Sequence, residues 1–299
     1  MQGKTAVITG ATNGIGKAIA HDLAQQGART VIIGRNKQKC IATSKEIRQQ
    51  TGNDNIHYYV ADLSSQADVR TLASTLKDDL DRLDVLVNNA GAWFTTRQES
   101  ADGIEMTWAL NHLSYFLLTH ELLDALKQTA QQYGDARIIN QSSIAHLDGR
   151  IHWDDVQFEH TWQTEGKGQY GAGWAVYSQS KLANVVHAFT LARQLKGSGV
   201  TANAVHPGVV VTGFTQNNGL IYKLAAPIRR LRLRRTPHDG AAPAVYLASS
   251  ADARGITGTY YGPPHIEEEV NPLAHDIDTQ ERLWELSLQH VDAKVAVSA

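Results

Sequence analysis

The chain has one cysteine, Cys40, among 299 residues, so no internal disulfide can form and stability must come from a packed core. It lacks any run of eighteen apolar residues, which excludes an ordinary transmembrane helix. It also lacks an excess of charge: 28 Lys and Arg against 30 Asp and Glu leave a formal net charge of −2, with no global attraction to nucleic acid or to an anionic membrane. No secretory leader stands at the start, because Met1-Gln2-Gly3-Lys4 runs directly into apolar residues. A cytoplasmic location is the expectation.

What is present is an ordinary globular composition, 42% apolar and 19% charged, long enough for one large α/β domain over residues 1–299. Residues 5–9 form a short apolar, β-branched run of the kind buried on both faces of a parallel sheet. Residues 15–26 follow with Ile15, Ile19 and Leu23 on one helical face and Gly27 as the stop. The alternation continues: strands at 30–33, 56–60, 85–87, 137–140 and 200–205, and helices at 39–50, 68–80, 106–127 and 176–195. This rhythm predicts a Rossmann-type fold, a doubly wound parallel sheet of about seven strands flanked by helices. Two stretches break it, an insertion at 146–173 and a segment at 214–235. Both follow strands that should end at one sheet edge, where ligands bind in open parallel sheets, so they are expected to be a substrate loop and a lid.

The turn after the first strand reads Thr9-Gly10-Ala11-Thr12-Asn13-Gly14-Ile15-Gly16. Glycines there allow a tight turn and close approach of a pyrophosphate to the backbone, and the following helix offers free N–H groups to it. A lone glycine-rich turn says little; one between the first strand and first helix of a βαβ unit points to a dinucleotide. The second strand ends in Arg35, where an NAD site would carry Asp or Glu; an arginine fork suits a 2′-phosphate, with Lys37 and Lys39 adding positive field, and so predicts NADP(H).

With these and further motifs in order, the chain resembles the short-chain dehydrogenases/reductases over nearly its whole length. The motifs are Ala61-Asp62-Leu63, Asn88-Asn89-Ala90-Gly91, Asn140-Gln141-Ser142-Ser143, Tyr177-Ser178-Gln179-Ser180-Lys181, and Pro207-Gly208-Val209-Val210-Val211-Thr212. The phrases Asn111-His112-Leu113-Ser114-Tyr115, SKLAN at 180–184 and AVHPGVV at 204–210 resemble its retinol dehydrogenase-like branch. The resemblance implies a cofactor site made by Gly10, Thr12, Asn13, Gly14, Ile15, Gly16, Arg35, Asp62, Leu63, Asn89, Ala90, Gly91, Tyr177, Lys181, Pro207, Gly208, Val210 and Thr212. It implies a catalytic set of Asn111, Ser143, Tyr177 and Lys181, no metal, and a hydrophobic carbonyl or alcohol substrate, in a homodimer or a monomer.

Tyr177 and Lys181 lie four apart, on one helical face. A free tyrosine titrates near ~10, and a close cation lowers that by roughly one to three pH units, so Lys181 is expected to prime Tyr177 as acid and base. Ser143 would orient the substrate oxygen, with Ser142 pointing the other way, and Asn111 would hold a water linking Lys181 to solvent. Taken alone, the Tyr-x-x-x-Lys pair would be an unremarked pair on an amphipathic helix; its company decides the reading.

The chain departs from the branch in three ways. No N-terminal membrane anchor is expected from its first residues, 34 positions separate Ser143 from Tyr177, and His112-Leu113 stands where the branch usually has Gly-His. The long interval carries Trp153, Phe158, Trp162, Tyr170 and Trp174, expected to shape a bulky, apolar pocket. His146, His152, Asp154, Asp155 and His160 in the same stretch match no common zinc or calcium spacing. Arg229, Arg230, Arg232, Arg234 and Arg235 with interleaved leucines read as a solvated helix face within the lid; a membrane-surface helix and attraction of an anionic substrate stay open. The alternative function is an NADP(H)-sensing binding protein on the same fold, although such a protein would be expected to lose Tyr177 or Lys181. A protochlorophyllide reductase-like enzyme is disfavoured because it needs an active-site cysteine and Cys40 is misplaced for that.

Overall fold

Apolar runs bounded by glycine turns become the strands of one sheet, and amphipathic stretches cover its two faces. The computed structural model describes residues 1–164, 171–210 and 235–291. Tyr170, Thr212 and the lid except Arg235 lie outside the described residues. The strands are β1 (Thr5–Thr9), β2 (Arg29–Gly34), β3 (Ile56–Val60), β4 (Val85–Asn88), β5 (Ala136–Gln141), β6 (Val200–Val205), β7 (Tyr260–Gly262) and β8 (Ile266–Glu267). Their order is β3-β2-β1-β4-β5-β6-β7-β8, parallel except for β8, which pairs antiparallel with β7. The eighth strand exceeds the expected seven or so. It is a two-residue edge with no apolar run to announce it.

The helices are α1 (Gly14–Gln25), α2 (Lys37–Thr51), α3 (Gln66–Asp79), α4 (Met106–Trp108), α5 (Ser114–Tyr133), α6 (Thr161–Thr164), α7 (Ala172–Gln194), α8 (Pro237–Ser249) and α9 (Ile277–His290). Ile19, Leu23, Ile47 and Leu247 pack on one sheet face, from α1, α2 and α8. Leu72, Leu118, Val186 and Leu283 pack on the other, from α3, α5, α7 and α9. The order reverses between β1 and β4, where the chain leaves for opposite faces and the strand ends open into a crevice.

The continuous helix expected at 106–127 is interrupted. One turn of α4 widens into a π-helical turn, Ala109–Leu113, before α5 begins. Such widenings carry an extra residue and gather at functional sites; this one contains Asn111.

α9 closes the α5–α7 face with a cluster of buried histidines. Trp284 meets Phe116 edge-on at 4.9 Å between ring centroids and lies 6.1 Å from His187. His112 Nε2 is 2.8 Å from Ser287 Oγ, and the Trp108 indole donates to His290 Nδ1 at 3.2 Å. Burial keeps these rings neutral: it holds His112 well below the usual histidine range, lowers His290, and takes His187 to about 3. The unfolded chain accepts protons near ~6.5 that the folded chain refuses, so this stability is complete above that pH and is lost as pH falls below it. Chemical denaturation is expected to show a loss of about 2 kcal/mol from His187 between pH 6.5 and 5, with a shallower slope in His187→Asn. Equal slopes in the two proteins would remove His187 from this role.

Candidate active site

The crevice at the carboxyl ends of the strands is a cleft of about 470 Å³. One end is lined by Thr12, Asn13, Arg35 and Lys39, the middle by Gly14, Ile15, Asp62, Leu63 and Asn89 to Gly91, and the other end by Ser143, Trp174, Tyr177, Lys181, Pro207, Gly208 and Val210. Gly10 and Gly16 also line it. Thr12 to Gly16, Arg35, Asp62 and Leu63, and Asn89 to Gly91 therefore sit where the motifs place them. Asn111 stands one layer behind.

The first turn is held by short contacts. Gly10 has φ +65°, and a Cβ there would lie 2.7 Å from Ala90 Cα, so neither a side chain nor the ordinary backbone region is available. The Thr9 hydroxyl accepts from the backbone N–H groups of Asn89 and Ala90 (2.8 and 3.0 Å), and Asn89 Nδ2 donates to Thr9 O (2.8 Å). These bonds stitch the ends of β1 and β4 together at the crevice floor. Asn13, the residue before α1, makes no capping bond through its side chain, and the first turn of α1 has no acid. The helix therefore presents unclaimed N–H donors and positive potential to the cleft, which suits a pyrophosphate. Arg35 is exposed at the rim with Lys39 beside it. Asp62 lies between these and the centre, its Oδ1 accepting from Ser64 N and Oγ at 3.0 and 2.7 Å. This donor set fits a phosphorylated dinucleotide.

At the far end, Lys181 is 3% exposed. Its Nζ donates to Gln141 O at 3.1 Å and lies 5.8 Å from the Tyr177 ring centroid and 5.7 Å from that of Tyr115. Ser142 turns away and donates to Lys181 O at 2.7 Å, while Ser143 caps a 3-10 turn (Ile144–Asp148) and hydrogen-bonds the Tyr177 phenol. The two serine side chains therefore point apart. Burial pushes Tyr177 up to about 12, opposed by the Ser143 bond, and brings Lys181 down to about 7. In the chain by itself, desolvation is the largest cause for both groups.

Asn111 clamps backbone. Its Oδ1 accepts from Ala92 N (2.9 Å), and its Nδ2 donates to Ala92 O (2.9 Å) and Ser180 Oγ (3.0 Å). Both ends of the amide are thereby committed. A Cβ on Gly91 would lie 3.1 Å from Asn111 Oδ1 and 3.4 Å from Lys181 Nζ, so Gly91 lets three layers touch.

The insertion is only partly a pocket wall. Trp174 lines the cleft with Phe94, Met106 and Leu110, and is braced by Trp93 at 5.7 Å and Tyr177 at 5.6 Å. Trp153 instead lies under Arg282 (4.3 Å), and Phe158 is buried in a satellite cluster with Ala172, Val176 and Trp162. An insertion this long needs a core of its own, and its aromatics supply it. Its carboxylates and imidazoles serve the loop: Asp155 accepts from the N–H groups of Glu159, His160 and Thr161, and His146 Nδ1 is bonded to Ser143 O at 2.8 Å. The His21–Asp22–His238 group bridges α1 and α8 through two imidazole–carboxylate contacts of 2.9 Å.

Sequence reasoning missed Tyr115, Trp93 and Gln141 as parts of this site. Tyr115 stands one helical repeat after Asn111, a spacing that would have put it on the same side.

Residues 4–154 match the family described as short chain dehydrogenase, and residues 163–261 the one described as Enoyl-(Acyl carrier protein) reductase. Retinol dehydrogenase 13 of Homo sapiens is 38% identical over 287 residues, covering 94% of this chain and 82% of that protein. Retinol dehydrogenase 12 of Mus musculus is 37% identical over 290 residues, covering 96% and 86%. Among solved structures, an uncharacterized protein from Mycobacterium paratuberculosis superposes with a TM-score of 0.74 at 28% identity, over 98% of this chain and 95% of that one. The Pseudomonas aeruginosa RhlG/NADP active-site complex superposes with a TM-score of 0.69 at 29% identity, over 89% and 98%.

The geometry predicts that Asn111→Ala, which strands the Ala92 N–H and C=O, lowers stability by about 2–3 kcal/mol. Denaturant unfolding checks this; a loss under about 0.5 kcal/mol would mean that water replaces the clamp.

Proposed function

The chain belongs to the short-chain dehydrogenase/reductase family, an oxidoreductase acting on CH–OH and C=O groups, and from that premise we propose an NADP(H)-dependent reaction on a bulky, apolar carbonyl or alcohol with Tyr177 as acid and base. The observation that carries this reading is the convergence of Ser143, Tyr177 and Lys181 at one end of a cleft whose other end is Arg35. When bound, the nicotinamide supplies or takes the hydride.

Ser143 Oγ orients the substrate oxygen and supports the charge that develops on it. Tyr177 gives a proton to that oxygen in reduction and takes one in oxidation. Burial favours the neutral phenol, pushed up to about 12, so the resting chain is set to donate. Lys181, buried beside it, favours the phenolate as soon as it carries charge. Phe94, Met106, Leu110 and Trp174 offer an apolar wall that excludes water and suits a hydrophobic substrate. The similarity to retinol dehydrogenases agrees with that substrate class.

NADPH oxidation against hydrophobic aldehydes and ketones tests the reading. Tyr177→Phe is expected to cut turnover by about 10³-fold while NADPH binding stays within about threefold. Substantial residual turnover would take the acid–base role from Tyr177; tight NADPH binding with no turnover on any compound would favour a cofactor sensor. Arg35→Asp is expected to lower the preference for NADP(H) over NAD(H) by at least about tenfold. An unmoved ratio would place the 2′-phosphate contact elsewhere.

A further inference from the structure

The run Ala204-Val205-His206-Pro207-Gly208 carries the chain out of β6 and into the cleft wall. His206 keeps the register of the sheet, its backbone N–H donating to Tyr261 O at 2.9 Å. Pro207 has no N–H to continue the ladder, so the chain leaves the sheet there. Pro207, Gly208, Val209 and Val210 then line the Tyr177 end of the cleft, while His206, 3% exposed, stands behind them.

Gly208, with φ +66°, turns back on the imidazole, and its N–H donates to His206 Nδ1 at 3.0 Å. A neutral imidazole has one acceptor and one donor, so this bond fixes the tautomer. The proton sits on Nε2, which meets Glu268 Oε2 at 3.0 Å. Glu268 is placed by its own backbone N–H, which donates to Tyr260 O at 2.9 Å. The Tyr260 ring stacks on the imidazole, 5.2 Å between centroids and 17° between planes. The histidine–carboxylate pair passes over Gly262 of β7, where a Cβ would overlap both Glu268 Oε1 and His206 Nε2. Room for the pair is thus built into the strand.

We propose that His206, oriented by Glu268, is a positioning residue that holds the Pro207-Gly208 turn against the nicotinamide end of the cofactor, and that a proton on its Nδ1 releases the turn. The proposal rests on the reading that a nicotinamide dinucleotide lies in this cleft with its ring at the Tyr177 end. A second proton turns Nδ1 from acceptor to donor, so it opposes the Gly208 N–H and the bond is lost. Burial is the largest influence on His206 and disfavours that proton; the Glu268 carboxylate, beyond β8, favours it, and Arg235 disfavours it. Arg235 precedes α8 and pairs with Val210, so close to Gly208 that a Cβ there would lie 2.8 Å from its Nη1. His146 of the 3-10 turn is held down by burial, with His206 adding to it, and Tyr260 keeps its proton because burial pushes it up. The balance sets His206 below the usual histidine range. The turn is thus held at neutral pH and released as the pH falls through that lowered value.

Calorimetry on the full chain compares NADP⁺ with 2′-phospho-ADP-ribose, which keeps the phosphates and lacks the ring. The ratio of the two affinities isolates the ring end and cancels titration of the 2′-phosphate. In wild type this ratio is expected to fall at least about threefold from about pH 7.5 to about pH 5.5, as the competent fraction shrinks. Lys181, taken to about 7, titrates at the same end, so variants must assign the proton. His206→Ala removes the acceptor and is expected to weaken NADP⁺ about tenfold at neutral pH, with 2′-phospho-ADP-ribose within about threefold. His206→Asn offers an acceptor in place of Nδ1 and takes no proton; it is expected to recover most of that affinity and to shrink the acid fall of the ratio at least about twofold. Glu268→Gln keeps an acceptor for Nε2 but removes the charge that favours the second proton, so its ratio is expected to exceed that of wild type at the acid pH.

A wild-type ratio that does not fall, or a His206→Asn ratio that falls as steeply as wild type, overturns the release. Equal losses of both ligands in His206→Ala, or no loss of either, overturn the positioning role. If His206→Ala does not fold, the Asn and Gln variants still decide. If wild type binds neither ligand, the cofactor reading itself fails, a result visible before any variant is made.

Discussion

The ammonium group of Lys181 is carried almost wholly out of water, and the far end of the cleft is organised around that fact. A buried charge is tolerated only where nearby groups solvate it. Here the Gln141 carbonyl accepts from it and the rings of Tyr115 and Tyr177 flank it at 5.7 and 5.8 Å. Each of these contacts needs a backbone feature. The end of β5 must present a carbonyl, α7 must place Tyr177 one turn before Lys181, and the helix after β4 must widen so that Asn111 reaches Ala92 while Tyr115 stays over the lysine. Gly91 is the point where these layers meet, and a Cβ there would press on Asn111 Oδ1 at 3.1 Å. Burial takes Lys181 to about 7, so its charge responds to small changes in the electrostatic surroundings near neutral pH.

The two halves of the cleft are built on different principles. The dinucleotide half is backbone: a glycine turn pressed on Ala90, N–H groups at the start of α1, and threonine and asparagine side chains spent on stitching β1 to β4. Little there depends on side-chain rotamers. The other half is aromatic and aliphatic side chains from the chain after β4 and from the start of α7, with Trp93, Trp174 and Tyr177 packed in series. The apolar end can therefore change through Phe94, Met106 or Trp174 while the glycine-turn end is left intact.

The sequence was readable where local chemistry decides the structure. The β-branched runs, the glycine turn and the four-residue spacing of Tyr177 and Lys181 each imply one geometry, and β3 and β6 have the bounds their residues suggest. It was less readable where tertiary packing decides. The π-helical turn at Asn111 looks like ordinary helix in sequence, because the extra residue is selected by a bond to Ala92 nineteen positions away. The roles of Trp153 and Phe158 could not be separated from that of Trp174 by composition, since all three are aromatic residues in one irregular segment. The balance between desolvation and attraction at Tyr177 depends on burial, which no spacing encodes. The edge strand β8 is two exposed residues, too short for any period.

Gln141 illustrates the tension that a binding cleft imposes on stability. The same strand end supplies a carbonyl that keeps Lys181 in place and a side-chain amide with no partner, so one residue both holds the buried lysine and leaves an unmet polar demand beside it. Asn111, two layers away, has the same functional group with both ends of its amide bonded. The chain is thus able to satisfy a buried amide completely where rigidity is the requirement. The unsatisfied amide of Gln141 is a local cost at the strand end, on the face where Ile139 packs among apolar side chains.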